Sequence, residues 1–539
     1  MHQPHQTPPT KVFSSPFVIF AFLVLAVVTI RVAWFNDDSY ITFRTVDNFV
    51  NGNGLTWNLA ERVQTYTHPL WMLLVSAVTA LTQEIYFSVT FLQILLSLGA
   101  VYLAVRFLGK SAYLSCVFIT CLLFSKSFIE YSTSGLENAL SYFLLALLVG
   151  VVTQKSRHTL LFTALLTACL GLNRLDLLLL ALPILVYVFV TETVSPRQRL
   201  KTLLIGFLPL IAWEIFSLVY YGSLLPNTAY AKLATGIDQA SLIKQGLFYF
   251  LNSLSLDPIT LVVTFASIGF ALRQRRTNPH MAALAIGVIL YQLYIIKVGG
   301  DFMSGRFLSA PFFLASMIAL QLASNVPEER TNLGLALASI VVLGFLSPQP
   351  VVLSNRSYGD VLHNPIDGMW VVDERNFYYG QTGLLTYTAG KDPIKSSFYA
   401  QGLAYKNGDK RVVEFPTIGF AGYAAGPDIH IVDHYALADP LLSRLPIIKS
   451  DLAPAGWRIG HFVREVPCGY IESLATDSNK ICDADLAAYY DKVRLITRGN
   501  MFSTERFRAI IGMQIGHYDI YLRNYVAKHP ELYKFDSSI

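Results

Sequence analysis

The chain has 539 residues, of which 53% are hydrophobic and only 14% are charged. Because a soluble protein usually carries about 25% charged residues, this composition excludes an ordinary soluble protein. The net charge of +5 is small. Its basic residues lie in short loops rather than in one patch, so they indicate membrane orientation and not nucleic-acid binding.

Long apolar runs recur through the first two thirds of the chain and predict a polytopic α-helical membrane protein. The first run, 17–35, lacks a small-residue cleavage site and is expected to be an uncleaved anchor. About twelve runs are candidates, and about eleven true spans fit a chain that starts inside and ends outside the cytoplasm. Between residues 69 and 107 two runs are separated only by TQEIY, so the topology there is open.

After residue 348 the content of charge, glycine, proline and tyrosine rises, and no run is long enough to span a membrane. The sequence therefore predicts a transmembrane core over 1–348 and a soluble α/β domain over 349–539. Cys468 and Cys482 lie in this second part, and we expect a disulfide between them if it faces an oxidising compartment.

A pair of adjacent acids follows the first apolar run. The stretch NDDSYITFR contains Asp37 and Asp38 directly after Phe35. One aspartate is enough to cap the helix that follows, so the second acid lacks that explanation. A carboxylate at the membrane surface can act as a general base toward a hydroxyl, or it can hold a divalent cation.

More polar residues fall at the same ends of the predicted spans, opposite the basic turns. Ionisable groups at a membrane are costly, and are usually paired or functional. Each residue alone has a plain structural explanation, such as an ion pair or a helix cap, but their gathering on one side favours a site. These residues are His68, Glu137, Arg174, Asp176, Asn227, Lys232, Asp301 and Arg306.

This set of residues suits one reaction class. A carboxylate base, cations that bind a phosphate leaving group and a position at the membrane describe glycosyl transfer from a lipid-phosphate sugar to a hydroxyl. The chain has no P-loop, H-E-x-x-H, G-x-S-x-G or dinucleotide motif, so nucleotide-driven transport has no support.

An ordered series of motifs resembles the GT-C superfamily of polyprenyl-phosphate-sugar-dependent glycosyltransferases, and within it the branch of the mycobacterial terminal β-(1→2)-arabinofuranosyltransferases. The motifs lie between residues 30 and 470 and are NDDSYITFR, GNGLTWN, ERVQTYTHPLW, TSGLENAL, NRLD, YYGSLLPNTAYAKL, VGGDFMSGRFL, ALADPLLSRLP and WRIGHFVREVPCGY. The resemblance implies a GT-C transmembrane core, a polyprenyl-phosphate arabinofuranose donor, a cell-envelope glycan acceptor and an inverting single displacement.

The resemblance implies that an aspartate of the first external loop is the base, and position and charge suggest roles for the other residues. Asp37 would be the base, and Asp38 would orient the acceptor or bind a divalent cation such as Mg, Mn or Ca. Cations expected at the donor phosphate are Arg44, Arg174, Lys232 and Arg306. Residues expected to contact the sugar or to support the site are His68, Glu137, Asp176, Asn227 and Asp301.

Other functions stay open at this point. The sugar could be another one, such as mannose or an aminopentose, since the sequence does not discriminate them. A transporter of lipid-linked sugars is a second alternative, although matching halves with broken spans are not evident. A third is a glycan-binding protein without catalysis. In each case we expect a bacterial inner or plasma membrane, with the polar layer and the C-terminal part facing the periplasm or the outside.

Overall fold

A computed structural model describes residues 12–233, 235–325, 330–354, 370–450 and 456–533. The first helices, in chain order, are α1 Pro16–Arg31, α2 Asp37–Val50, α3 Pro69–Thr82, α4 Tyr86–Leu108, α5 Ala112–Phe124, α6 Lys126–Glu130, α7 Asn138–Gln154, α8 Thr159–Asn173, α9 Leu178–Thr191, α10 Pro196–Tyr220, α11 Asn227–Leu233 and α12 Gln239–Leu256. The later helices are α13 Pro258–Arg273, α14 Pro279–Val298, α15 Arg306–Ala323, α16 Arg330–Phe345, α17 Glu374–Thr382, α18 Ser397–Lys406, α19 Ile418–Ala425, α20 Tyr470–Thr476, α21 Ala484–Arg498, α22 Thr504–Gln514, α23 Asp519–Lys528 and α24 Pro530–Tyr533.

Four of the described helices, α4, α10, α14 and α15, are long and apolar enough to cross a membrane. A fifth span results if α12 and α13, which bend by 111° at Asp257, are counted together. Shorter apolar helices of 10–17 residues accompany them. The chain is therefore a helical, multi-pass membrane protein, whereas eleven spans stay a prediction.

The region from residue 370 packs directly on the helical bundle. Its Tyr378, Phe420 and Phe462 belong to the same buried apolar cluster as the bundle helices. A second cluster around α21 takes in Ile41 and Trp57 from the first part of the chain. The two parts of the chain share both apolar clusters. A domain boundary near residue 348 therefore stays a prediction.

This region is mostly helical in its described residues. Its described strands are β1 Val412–Glu414 and β2 His430–Val432, which pair in parallel. An α/β domain would contain more β-strand residues than these two short strands provide. Cys468 and Cys482 form a disulfide on the two sides of α20.

Helix α2 carries the acidic pair, and its cap is neither acid. The side-chain oxygen of Asn36 accepts the amide N–H of Ser39 at 3.0 Å, which satisfies a free donor of the first turn. The reading of one aspartate as the cap of α2 is therefore wrong, and both carboxylates are available for other contacts.

Asp37 joins α2 to α19. Its Oδ2 accepts the amide N–H of Gly419 at 2.9 Å, and its Oδ1 accepts that of Phe420 at 2.8 Å. A helix N-terminus offers free amides and partial positive charge, so the carboxylate stabilises this contact. The backbones are so close that a Cβ atom at position 419 would clash with the Asp37 carbonyl oxygen. The ring of Tyr40 adds edge contacts to Phe420.

We expect Gly419→Ala to lower the free energy of unfolding by about 1–3 kcal/mol, because the methyl group overpacks the junction of α2 and α19. Gly380→Ala is the matched control, since a Cβ at this position of α17 meets nothing within 4 Å. The control should be neutral or slightly stabilising. Thermal unfolding in detergent measures both variants, and equal melting temperatures would contradict the tight junction.

Candidate functional site

Two cavities meet beside Asp38. One, of about 280 Å³, contains Arg174 and Arg306 and is named the cationic cavity. The other, of about 260 Å³, contains Trp370 and Tyr378 and is named the aromatic cavity. Residues that line both cavities are Asp38, Ile41, Lys232, Leu437 and Gly460. A group at Asp38 can therefore contact a ligand in either cavity.

The cationic cavity gathers most of the residues predicted from the sequence. Those that line it are Asp38, His68, Arg174, Asp176, Lys232, Asp301 and Arg306. Its wall also carries apolar side chains, of which Leu175 and Leu233 are 39% and 64% exposed. Cations beside exposed apolar side chains suit an anionic ligand with a lipid tail.

Glu137 holds the two arginines of this cavity. Its Oε1 accepts Arg174 Nη1 at 3.1 Å and Arg306 Nη2 at 3.3 Å. Its Oε2 lies 3.3 Å from His68 Nδ1. Burial by itself raises the pKa of this carboxyl, but Arg306, His68 and Arg174 together hold the pKa well below its usual range. Glu137 is therefore a buried anion that fixes the position of both guanidinium groups.

Two further acids support the same cations. Arg174 Nε donates to Asp176 Oδ1 at 2.9 Å, and Arg306 Nη1 lies 3.6 Å from Asp301 Oδ2. Lys232 differs from both arginines. It forms no ion pair within 4 Å among the described residues, and it is half-buried. Its charge is thus available to an anion in the cationic cavity.

The two adjacent acids have different surroundings. Asp38 is half-buried and accepts no hydrogen bond from the described residues. Burial raises the pKa of Asp38, although Lys232 and Arg306 oppose the rise. Burial also raises the pKa of Asp37, to about 7, even though its two amide bonds lower it. Asp38 presents free carboxylate oxygens where the cavities meet, while both oxygens of Asp37 are occupied.

The aromatic cavity was not predicted from the sequence. Its aromatic side chains are Phe302, Trp370, Phe377, Tyr378, Phe398, Tyr435 and His461. Glu374 and Arg458 add charge, and the Arg458 guanidinium carbon lies 5.6 Å from the ring centre of Trp370. Arg458 and His461 belong to the motif WRIGHFVREVPCGY, which could have indicated them, whereas Trp370 and Glu374 lie in no recognised motif.

Arg44 is not at the site. Its guanidinium donates to the carbonyl oxygens of Trp57, Gly422 and Ile429 at 2.9, 2.9 and 2.7 Å. It also stacks on the Trp57 ring at 4.1 Å and lines neither cavity. The expectation that Arg44 binds the donor phosphate is therefore corrected, because this side chain ties α2 to the region after residue 370.

Asn227 contacts a loop that lines the two cavities. Its amide nitrogen donates to the carbonyl oxygens of Ala436, Leu437 and Asp439 at 2.9, 3.1 and 3.1 Å. These bonds hold the loop that places Leu437 in the wall of both cavities. Asn227 lines neither of the two, so its contribution is to position this wall.

The surroundings of Asp38 suit an anionic ligand better than a metal ion. Among the described residues, no group of three or more His, Cys, Asp or Glu side chains is arranged to hold a metal. Lys232 and Arg306 are among the charges that act on Asp38, and they would repel a divalent cation. A metal at Asp38 stays a prediction, and the chemistry below does not depend on one.

The chain is similar in sequence to curated glycosyltransferases. The terminal β-(1→2)-arabinofuranosyltransferase of Mycobacterium tuberculosis is 26% identical over 515 residues, which cover 79% of this chain and 80% of that protein. The enzyme of the same name from Corynebacterium glutamicum is 27% identical over 391 residues, covering 64% of this chain and 55% of that protein. These relatives confirm the resemblance and the expectation of a glycosyltransferase. No family model matches the chain.

A likeness to a solved structure is weaker. The oligosaccharyltransferase of Archaeoglobus fulgidus has a TM-score of 0.44 and 11% identity, and the match covers 78% of this chain and 64% of that one. At this level the likeness supports no conclusion about fold or site.

We expect Glu137→Gln to destabilise the protein strongly, by about 3–5 kcal/mol, because Arg174 and Arg306 lose a buried carboxylate partner. Thermal unfolding in detergent measures the loss. Glu505→Gln, an exposed site on α22, is the control and should leave the melting temperature unchanged. If both variants had the melting temperature of the wild type, the interpretation that Glu137 organises the cationic cavity would be contradicted.

Proposed function

We propose that the protein is a GT-C membrane glycosyltransferase that moves arabinofuranose from a polyprenyl-phosphate donor to a hydroxyl of a cell-envelope glycan. The observation that carries this proposal is the position of Asp38, a carboxylate with free oxygens between a cationic and an aromatic cavity. The names of the curated relatives support arabinofuranose as the sugar.

We assign the donor to the cationic cavity. The two arginines that Glu137 holds can bind phosphate oxygens, and Lys232 adds a cation that forms no ion pair with the described residues. The exposed side chains of Leu175 and Leu233 are suited to a prenyl chain. The lipid phosphate would thus be bound with its sugar directed toward Asp38.

We assign the acceptor to the aromatic cavity. Aromatic rings combine apolar surface with low conformational entropy, and they can pack against the apolar face of a sugar ring. Glu374 and Arg458 can bind its hydroxyl groups. A glycan end in this cavity would reach Asp38 from the side opposite the donor.

The reaction then follows from these positions. Asp38 removes the proton of the acceptor hydroxyl, and that oxygen forms a bond to the anomeric carbon. The bond from this carbon to the phosphate oxygen breaks, and its electron pair leaves with polyprenyl phosphate. Lys232, Arg174 and Arg306 stabilise the departing charge. Attack from the face opposite the phosphate inverts the anomeric configuration.

This mechanism gives Asp38 the base role that the family resemblance places on Asp37. Two amides of α19 occupy the Asp37 oxygens, so a proton taken by Asp37 would cost a hydrogen bond at the junction. Burial raises the pKa of both acids, so the pKa does not distinguish them. The choice of Asp38 as the base rests on its carboxylate oxygens, which accept no hydrogen bond from the described residues.

We place the site outside the cytoplasm, in a bacterial inner or plasma membrane. Arg197, Arg199 and Lys201 lie in the first turns of α10, and basic residues favour the cytoplasmic end of a span. The segment after the other end of α10 supplies Pro226 and Lys232 to the cationic cavity. The site therefore lies opposite the basic end.

Transfer by the purified protein tests this proposal. We expect pentose transfer from synthetic polyprenyl-phospho-arabinofuranose to a short arabinan acceptor, with an inverted anomeric centre and no loss in EDTA. Mannose and aminopentose donors run in parallel should be much poorer. Transfer of another sugar would overturn the sugar assignment alone. If the folded protein transferred none of these sugars, the assignment as a glycosyltransferase would be overturned, and a transporter of lipid-linked sugars would be favoured.

A further inference from the structure

We infer that Thr42 binds a hydroxyl group of the donor sugar, and that His68 and Glu137 fix the direction of this hydrogen bond. The inference rests on the proposed function, because it assigns a sugar subsite within the cationic cavity. It gives the sugar a protein contact of its own, separate from the cations that meet the phosphate.

Thr42 lies one helical turn after Asp38. Residues four apart share a face of a helix, and both side chains line the cationic cavity. The Thr42 hydroxyl oxygen is 2.8 Å from His68 Nε2. The other ring nitrogen, Nδ1, lies 3.3 Å from Glu137 Oε2 and 3.4 Å from the Thr67 hydroxyl. The three side chains thus form a line from the buried anion to the cavity.

The charges along this line set the position of each proton. Glu137 is ionised against Arg174 and Arg306, and its Oε2 accepts no hydrogen bond from the described residues. Its negative charge, 3.3 Å from His68 Nδ1, favours a proton on that nitrogen. His68 is buried, and burial lowers its pKa to about 4, although Glu137 opposes the change. The imidazole is therefore neutral, and its Nε2 is an acceptor. With the His68 proton on Nδ1, the Thr42 hydroxyl donates its proton to Nε2.

A hydroxyl that has donated its proton can only accept from a second partner. The Thr42 oxygen therefore favours a ligand group that carries a proton, which a sugar hydroxyl does. An ionised phosphate oxygen has no proton to donate, so its lone pairs would face those of the Thr42 oxygen and repel them. Thr42 thus selects the sugar part of the donor and leaves the phosphate to the cations. This contact lies one turn from Asp38, so it also orients the sugar toward the base.

The opposite charge state of His68 gives the opposite selection. A doubly protonated imidazole would donate from Nε2 to the Thr42 oxygen, and the Thr42 proton would be directed to the ligand. Thr42 would then favour a phosphate oxygen. The two arrangements differ in which part of the donor loses affinity when the hydroxyl is removed.

The test compares two ligands on three variants of the full chain in detergent. The ligands are polyprenyl-phospho-arabinofuranose and polyprenyl phosphate, with binding measured by calorimetry. Thr42→Val removes the hydroxyl at nearly constant shape, and Thr42→Ser restores it. Thr45→Val is the matched control, because Thr45 is a buried threonine of the same helix that lines neither cavity.

We expect Thr42→Val to weaken the binding of the sugar-bearing donor about 10-fold, the effect of one lost hydrogen bond, and to change the binding of polyprenyl phosphate less than about 2-fold. Thr42→Ser and Thr45→Val should bind both ligands as the wild type does. A donor that lacks the hydroxyl in question should bind the wild type and Thr42→Val equally well, which identifies that hydroxyl.

Equal weakening of both ligands, selective weakening of polyprenyl phosphate, or no change in Thr42→Val would each overturn this subsite. None of these results affects the proposed function, because the wild type still binds the lipid donor. If the folded wild type bound neither lipid, the proposed function would fail and the subsite with it. The wild-type arm therefore separates the two failures.

Discussion

The carboxylate of Asp37 against the first amides of α19 is the contact on which the rest of the site depends. It joins the helix that follows the first apolar segment to a helix almost 400 positions later in the chain, and Gly419 lets the backbones touch. Successive residues of a helix point about 100° apart, so an Asp37 turned to α19 leaves Asp38 turned elsewhere. The same contact places Thr417 and Ile418 in the wall of the aromatic cavity. Asp37 also lines the aromatic cavity, but its oxygens are bound to α19, whereas Asp38 lines both cavities.

Charge in the cationic cavity is arranged by one buried anion. Glu137 holds Arg174 and Arg306 through one oxygen and lies beside His68 through the other. The guanidinium groups are therefore positioned before a ligand arrives, which avoids the cost of ordering two long side chains on binding. Lys232 is left without an ion pair of its own among the described residues and can respond to the charge of the ligand. A prearranged cationic wall beside a free carboxylate is what a displacement of lipid phosphate by a hydroxyl requires.

Hydropathy and the ends of the apolar runs were enough to predict a helical membrane protein and to bring His68, Glu137, Arg174 and Arg306 to one site, because membrane thickness limits where a span can end. The difference between Asp37 and Asp38 could not be predicted, since it is decided by amides that lie far away in the sequence. Arg44 was misassigned for the same reason, because its three carbonyl partners are backbone atoms. The aromatic cavity is lined by residues from helices and loops that lie far apart in the sequence, so its lining follows no periodic pattern. Glu374 therefore gave no sequence signal, while Arg458 lay in a motif whose residues were not distinguished.

The most direct test is the rate of a single turnover with bound polyprenyl-phospho-arabinofuranose, measured for Asp38→Asn and Asp37→Asn after both are shown to bind the donor. The account predicts that Asp38→Asn lowers the rate of transfer by at least about 100-fold with donor affinity retained, as expected for a lost general base. Asp37→Asn should lower the melting temperature, and its rate of transfer should fall much less than that of Asp38→Asn. A folded Asp38→Asn that transfers at the wild-type rate, together with an inactive Asp37→Asn that binds donor normally, would contradict the account and make Asp37 the base.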